Sequence, residues 1–515
     1  MLRVRPVFAD RPLTGGWSFL LDALTELIVR WANAALVTAT RPPAIAVLAC
    51  LAALVLSISG LSTASNPPAT PLISISLPIQ HPSLLSIHAG TLFHTIDSDF
   101  LLQSDGTIYV QTGDIPAMWL RDSSAQTLPY VRFATTVTDF QPIVRGVVER
   151  NAANVLTNPQ ANAFTAAYHV WEEKWEPDSL AYPVTLVSAY WNQTHDKAIF
   201  TPRLRWALEH TLTTYQCEQH HNACSKYRSR YLSNHGNGAG FSDTGMVWGA
   251  FRPSDDRVRY PFNIPQNMLV AVAVEEIAQI EAECYADTAL ATQASQLAIQ
   301  VRAGIERYGK VYDFHHGWIY AYEVDGLGNF ELMDDANMPN LLSAPYFNYI
   351  ADNEEVYQNT RRFALSSDDP YYYRGAYASG LGSPHTPTGW VWPLGMISQA
   401  LTASSAHEVA QLIAYTDATA GSEQLIHESF DPNDPTRFTR PEFGWANALY
   451  AELLFRSVAG LPPQRFRLVD RLQPLFAQAS TPKITPFFEQ LTIQAAIIEQ
   501  LRRSCSQALT YCYIR

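Results

Sequence analysis

The chain has 515 residues, 47% of them hydrophobic and 12% aromatic, enough apolar surface for one large core or two ordinary ones, which argues against a mainly disordered protein. With 48 acidic against 35 basic residues the formal charge is −13, the wrong sign for displacing counterions from phosphates, so nucleic acid is not expected as a partner. The 25 Tyr and 12 Trp suit stacking on the C–H faces of sugar rings, but any large core also uses aromatics.

In chain order, residues 1–43 read as a cytoplasmic tail, and the uncharged run AIAVLACLAALVLSISGL from Ala44 to Leu61 lies at the lower limit for a helix crossing the bilayer. Arg30 and Arg41 precede it, and no acidic or basic side chain follows until Asp97. The positive-inside rule then keeps the N-terminus cytoplasmic and exports the rest, a type II signal-anchor. A cleaved signal is the alternative, since Ser62-Thr63-Ala64 supplies small residues at a cleavage point, but the run begins later than secretory signals do. A buried core helix ranks third. Residues 62–85 carry Pro67, Pro68, Pro71, Pro78 and Pro82, which prevent regular helix and read as a stem.

From residue 86 to 460 helical periodicity recurs between Gly, Pro, Asn and Asp clusters, near Ile143–Leu156, Leu180–Trp191 and Arg203–Tyr215. Asn267–Glu283 is apolar nearly all round at its start and should be buried. The next segment places Leu290, Ala294, Leu297, Val301, Ile305 and Tyr308 on one stripe. Asn353–Ala364, Val391–Ala403, Ala406–Thr419 and Trp445–Val458 follow, and residues 461–515 read as a helical extension in which no chemistry is evident. A buried helix followed by an amphipathic one is what an inner and an outer ring require. The expected class is all-α.

Cys217-Glu-Gln-His-His-Asn-Ala-Cys224 has zinc-ligand residue types, but in an exported chain a local Cys217–Cys224 disulfide is the better expectation, with His220 and His221 facing solvent. Cys505 and Cys512 could form a second bridge. Asn192-Gln-Thr194 is a glycosylation sequon that fits a lumenal location.

The densest polar and aromatic cluster is GDIPAMWLRDS at 113–123, where Arg121 beside Asp122 and Trp119 offers donors, an acceptor and a stacking face. The competing structural role is a buried ion pair at a helix N-terminus capped by Asp122 or Ser123. Residues 171–179, 248–256, 333–340, 383–387 and 427–430 repeat the theme. Glycoside hydrolysis needs two carboxyls, one to protonate the leaving oxygen and one to activate water or attack the sugar. Asp255-Asp256 offers the acid, because a like charge next door and partial burial would raise its pKa, and Glu428 offers the base. The structural alternatives are a helix cap for Asp255 and a surface carboxylate paired with Arg437 or Arg440 for Glu428.

GDIPAMWLRDSSAQ at 113–126, FRPSDD at 251–256, DDANMPNLL at 334–342, GSPHTP at 382–387, and HESF followed by FTRPEFGWAN at 438–447 resemble glycoside hydrolase family 125 over about residues 86–460. The resemblance implies an (α/α)6 toroid and an exo-acting, inverting α-mannosidase, chiefly α-1,6-specific, needing no metal or cofactor. It assigns the general acid to Asp255, with Asp256 as runner-up, and the base to Glu428, the two roughly 6.5–9.5 Å apart. Trp119, Arg121, Asp122, Asp335, Asn337 and His385 would line the pocket, and Met118, Arg252 and His427 from the same motifs, with Asp178 from the 171–179 cluster, complete the expected substrate-binding set. Glu442 stands where an aromatic is expected, immediately before Phe443-Gly-Trp445, and is a rival base by similarity to (α/α)6 glycosidases of the trehalase and glucoamylase kind.

The expected partner is a mannose-containing oligosaccharide, and the expected location is the lumenal side of the secretory pathway, the Golgi in particular, because short spans suit thinner membranes. The rival functions are an inverting glucosidase on the same toroid and a catalytically silent glycan-binding protein.

Overall fold

The computed structural model describes residues 91, 94–96, 98–135, 140–421 and 425–459. The expected tail, anchor and stem (1–85), the 461–515 extension and the Cys505–Cys512 pair lie outside them. Among the described residues no helix is long and apolar enough to cross a membrane.

Among the described residues the α-helices longer than one turn are α1 (Leu120–Val131), α2 (Phe140–Thr157), α3 (Pro177–Thr194), α4 (Pro202–Glu218), α5 (Ile264–Ile280), α6 (Thr288–Tyr308), α7 (Glu355–Ala364), α8 (Pro393–Leu401), α9 (Ala406–Thr419) and α10 (Gly444–Ala459). Each stretch singled out by periodicity is a helix here. α1 is the addition, hidden because its first turn is the polar Arg121-Asp122-Ser123 cluster.

Packing follows the apolar faces. α5 buries almost every residue from Ile264 to Val274, whereas α6 buries a single stripe of Ala291, Ala294, Leu297, Ala298, Val301, Gly304 and Ile305 against it. The contacts of the more buried helices run in a closed circuit: α1 against α3, α3 against α5, α5 against a 3-10 turn at Leu341–Ser343, that turn against α8, α8 against α10, and α10 back against α1. α2, α6, α7 and α9 pack outside this circuit, and α4 lies on α2.

Proline in the first turn starts α3 (Pro177), α5 (Pro265) and α8 (Pro393), where a missing N–H costs nothing. The side chain of Asn263 caps α5 through the Gln266 N–H. The starts of the inner helices come together. Gln266 of α5 donates to Asp178 of α3, and Trp119, Trp392 and Phe443, just before α1, α8 and α10, share one pocket wall.

The all-α expectation holds for the core but missed several antiparallel ribbons in the connections, such as Met118–Trp119 with Ala163–Phe164 and Ser429–Asp431 with Asp434–Thr439. Strands of two to six residues are too short to show a period of two. Many of the aromatics are core: Trp175, Trp248, Trp392 and Trp445 are among the largest fully buried side chains.

Candidate active site

The ribbon pairing of Met118–Trp119 with Ala163–Phe164, and the Leu120 N–H bond to the Asn162 carbonyl, fix the start of α1 and aim Arg121 inward. Arg121 is 3% exposed and is the hub of the site. Its Nη1 donates to Glu176 Oε2 (2.6 Å) and Asp178 Oδ2 (3.2 Å), its Nη2 donates to Asp255 Oδ1 (2.9 Å), and its Nε lies 3.4 Å from Asp122 Oδ2. One guanidinium thus faces four carboxyl groups.

In a poorly solvated site one cation cannot keep four neighbours ionised. Burial, opposed by Arg121 and reinforced by Asp255, pushes Asp122 up to about 6. Burial also raises Asp178, and burial together with the Asp255 charge raises Glu176 well above the usual carboxylate range. Asp255 goes the other way. Its own desolvation is outweighed by Arg121, by a hydrogen bond with Glu176 and by Lys174, so its carboxyl is held below the ordinary range. This corrects the expectation that Asp256 would raise it. The two neighbouring side chains have different partners: Asp256 takes the Ser254 hydroxyl (3.2 Å) and pairs with His385 Nδ1 (3.3 Å). Nor is Asp255 a helix cap. It sits in a turn whose backbone is left-handed (φ 63°), its N–H donating to the Arg252 carbonyl.

The pocket is partly open to solvent and has a volume of about 250 Å³, just under the range of about 300–1,000 Å³ common for small-ligand clefts. Trp119, Trp392, Phe443 and Trp445 are its aromatic lining, and Arg121, Asp122, Ser254, Asp255, Asn337, His385, Glu428 and Arg440 its polar lining. Glu428 is 8% exposed and accepts from Arg440 Nη1 at 3.4 Å. That is the partner proposed for a surface carboxylate, yet here both groups line the pocket. Arg440 is itself left-handed (φ 45°) and is braced by Asp114 and the Thr112 carbonyl. Non-glycine residues in this region are costly and cluster at functional sites.

Of the residues singled out in the sequence, Trp119, Arg121, Asp122, Asp255, Asn337, His385 and Glu428 line the pocket. The others do not, and each has another task. Met118 is fully buried and its sulfur accepts from the Val110 N–H. Asp178 is held behind Arg121, with Gln266 as a second partner. Arg252 binds Glu323 at 2.6 Å, and Asp335 holds Asn337 and Ser383 in place. His427 stacks flat on Phe438 and hydrogen-bonds the Pro441 carbonyl, bracing the loop that carries Arg440. Asp256 reaches the pocket through His385, and Glu442 turns to His94 at 2.5 Å. Asp122 and Ser123 lie inside the first turn of α1 and do not cap it.

Sequence reasoning did not select Glu176, Trp392 or Trp445. Glu176 follows Trp175 in a stretch that also holds Glu172 and Glu173, and Trp392 and Trp445 fell within or beside helical stretches. The Cys217–Cys224 disulfide is present. His220 is exposed beside Asp243, but His221 is buried, stacked on Trp248 and bonded to Glu218, so the expectation that both face solvent fails for it. Among the described residues no cluster of three or more His, Cys, Asp or Glu side chains is set to hold a metal.

A family model described as metal-independent alpha-mannosidase matches residues 81–169 and 165–455. The chain is 35% identical over 386 residues, 67% of its length, to the meiotically up-regulated gene 157 protein of Schizosaccharomyces pombe, covering 75% of that protein. Among solved structures, a Streptococcus pneumoniae metal-independent alpha-mannosidase in a non-productive complex with alpha-1,6-mannobiose superposes with a TM-score of 0.72 at 37% identity, over 74% of this chain and 95% of that one. A bacterial glucoamylase bound to acarbose gives a TM-score of 0.50 at 12% identity over 76% of this chain and 57% of that one, a likeness of fold alone.

Proposed function

The chain belongs to glycoside hydrolase family 125, the metal-independent alpha-mannosidases, and from that membership we propose that it is an exo-acting, inverting enzyme removing terminal α-1,6-linked mannose. The observation that carries the reading is that Asp255 and Glu428 reach one pocket from different parts of the chain. The α-1,6-mannobiose bound to the pneumococcal relative supports the linkage. The circuit of helix contacts supports an (α/α)6 toroid, with the inner helices' positive N-terminal ends gathered at the pocket.

In this reading the terminal mannose enters the pocket and lies against the aromatic wall. Asp255 protonates the leaving oxygen. Glu428, positioned by Arg440, takes a proton from a water that attacks the anomeric carbon from the opposite face, releasing β-mannose. Arg121 and Asp122, with Asn337 and His385, offer donors and acceptors for the sugar hydroxyls.

The test is hydrolysis of α-1,6-mannobiose with the released anomer read by NMR, alongside Asp255→Asn. β-Mannose from the wild type and not from the variant supports the reading. Release of α-mannose overturns inversion, and cleavage of glucosides in place of mannobiose transfers the chain to the glucosidase alternative.

We also propose a lumenal location in the secretory pathway, held by a type II anchor. The Cys217–Cys224 disulfide and the exposed Asn192 of the sequon support an oxidising, glycosylating compartment. Imaging a tagged chain with and without residues 1–61 tests it: a truncated chain that stays on the same membrane refutes the anchor, and a tag lost from the full chain favours a cleaved signal.

A further inference from the structure

The acid assigned above presents a difficulty that its surroundings resolve. A general acid must carry a proton when substrate arrives, yet Asp255 accepts a hydrogen bond from Arg121 at 2.9 Å and is stabilised by Lys174, both of which favour its ionised form. Directly behind it lies Glu176, fully buried at the start of α3 and absent from the pocket wall. The two carboxyls share two donors: Arg121 gives Nη1 to Glu176 (2.6 Å) and Nη2 to Asp255 (2.9 Å), and the Asn162 amide nitrogen lies within 3.5 Å of both. Two carboxyl groups held on the same donors in a buried site cannot both ionise without repulsion, so one of them keeps a proton.

The contacts say where that proton rests. Glu176 Oε2 accepts from Arg121 Nη1 (2.6 Å) and from the Ser179 hydroxyl (3.0 Å). Glu176 Oε1 is met only by the longer Asn162 Nδ2 contact of 3.3 Å, and that same Nδ2 lies 3.5 Å from Asp255 Oδ1. Oε1 is therefore the less engaged oxygen of Glu176, on the side of the amide it shares with Asp255, and the one with capacity to carry a proton. The charged and titratable groups around Glu176 are Arg121 of α1, Asp178 of its own helix, Asp255 across the wall, Lys174 just before it, and the Tyr227 hydroxyl.

We propose that Glu176 is a proton store for Asp255, holding the acid proton in the resting site and passing it through Asp255 to the glycosidic oxygen. This rests on the assignment of Asp255 as the acid. Asp255 gives a proton to the leaving oxygen as the anomeric C–O bond breaks, and the bonding pair leaves with that oxygen as an alcohol. Glu176 Oε1–H passes its proton to Asp255 Oδ. Glu428 takes the proton of the attacking water, whose oxygen forms the new bond. The site then holds one carboxylate more on Glu176 and one fewer on Glu428. It is reset when Glu428 loses a proton to solvent and the Glu176–Asp255 pair regains one. Arg121 makes the transfer inexpensive, because the same guanidinium bonds both partners and stabilises the negative charge on either. Glu176 is thus a positioning residue that acts through Asp255.

The experiment compares wild type, Glu176→Gln and Asp255→Asn on α-1,6-mannobiose and on 2,4-dinitrophenyl α-mannoside, whose leaving group needs no protonation. The pH profile of kcat/KM on the disaccharide is recorded for each. Glutamine keeps the size and the polar contacts but supplies no acid proton. The expectation for Glu176→Gln is a loss of about 10²–10⁴-fold on mannobiose, less than about tenfold on the aryl mannoside, and a basic limb of the pH profile displaced to lower pH. Equal losses on both substrates would make Glu176 structural only, and an unchanged variant would remove it from the reaction; either overturns the proposal. If Asp255→Asn itself failed to distinguish the two substrates, the acid assignment would fall, whatever Glu176→Gln did.

Discussion

Arg121 Nη2 lies 2.9 Å from Asp255 Oδ1, joining the first turn of α1 to a turn 134 residues further along the chain. Because Arg121 also bonds Glu176 and Asp178, its loss leaves several buried carboxyls without their cation. Removing one partner from such a buried set costs about 3–5 kcal/mol. Arg121→Ala should lower the unfolding free energy in urea by that amount and abolish turnover. A loss below about 1 kcal/mol with activity retained would show that the hub is dispensable.

His385 is pushed up to about 9, chiefly by its hydrogen bond to Asp256, opposed by burial. A raised imidazole pKa stabilises the fold fully below its unfolded value of about 6.5, and that contribution is lost as pH rises through about 9. With the side chain 38% exposed, solvent screening reduces the effect to about 1 kcal/mol. Urea denaturation at pH 6 and at pH 9.5 should show this extra decline in the wild type and a flatter response in Asp256→Asn. Parallel declines in the two proteins would detach the effect from the pair.

Glu428 lines the pocket, whereas Glu442 is turned to His94. Glu428→Gln is expected to reduce kcat by about 10²–10⁴-fold, the usual worth of a general base, and Glu442→Gln to change it only a few-fold. The opposite ranking on α-1,6-mannobiose would move the base to Glu442.

The Cys217–Cys224 bridge closes the last residues of α4 onto the short helix His221–Cys224, whose His221 stacks on Trp248. Trp248 in turn accepts the Trp175 indole N–H through its carbonyl, next to Glu176. For so short a loop the chain-entropy contribution is about 2–3 kcal/mol. The double variant Cys217→Ser/Cys224→Ser should lose that much stability in urea while KM for the disaccharide changes little. Undiminished stability would contradict a structural role for the bridge.

The helices were legible because burial on one face or all round leaves a period that survives in sequence: α5 and α6 follow from Val270, Val274 and Ile277 and from the Leu290–Ile305 stripe. The ribbons were not, since their pairing is non-local and each strand is a few residues long. Within the site, motifs gave the neighbourhood without the direction of each side chain. Met118 and Trp119 are adjacent on one strand and so point to opposite faces, one into the core and one into the pocket. Asp255 and Asp256 diverge for the same kind of reason, through a turn that no periodicity announces. Glu176 acquires its chemistry from Arg121 and Asp255, partners far away in sequence, and nothing local marks it out.

The left-handed turn at Asp255 restricts what evolution or an engineer can put there. Asparagine, aspartate and glycine enter that backbone region readily; longer side chains do so at a cost. A residue that must both carry an exchangeable proton and turn the chain this way is aspartate, since glutamate meets only the first demand. Asp255→Asn therefore separates proton chemistry from backbone shape, while Asp255→Glu or Asp255→Ala would disturb both at once.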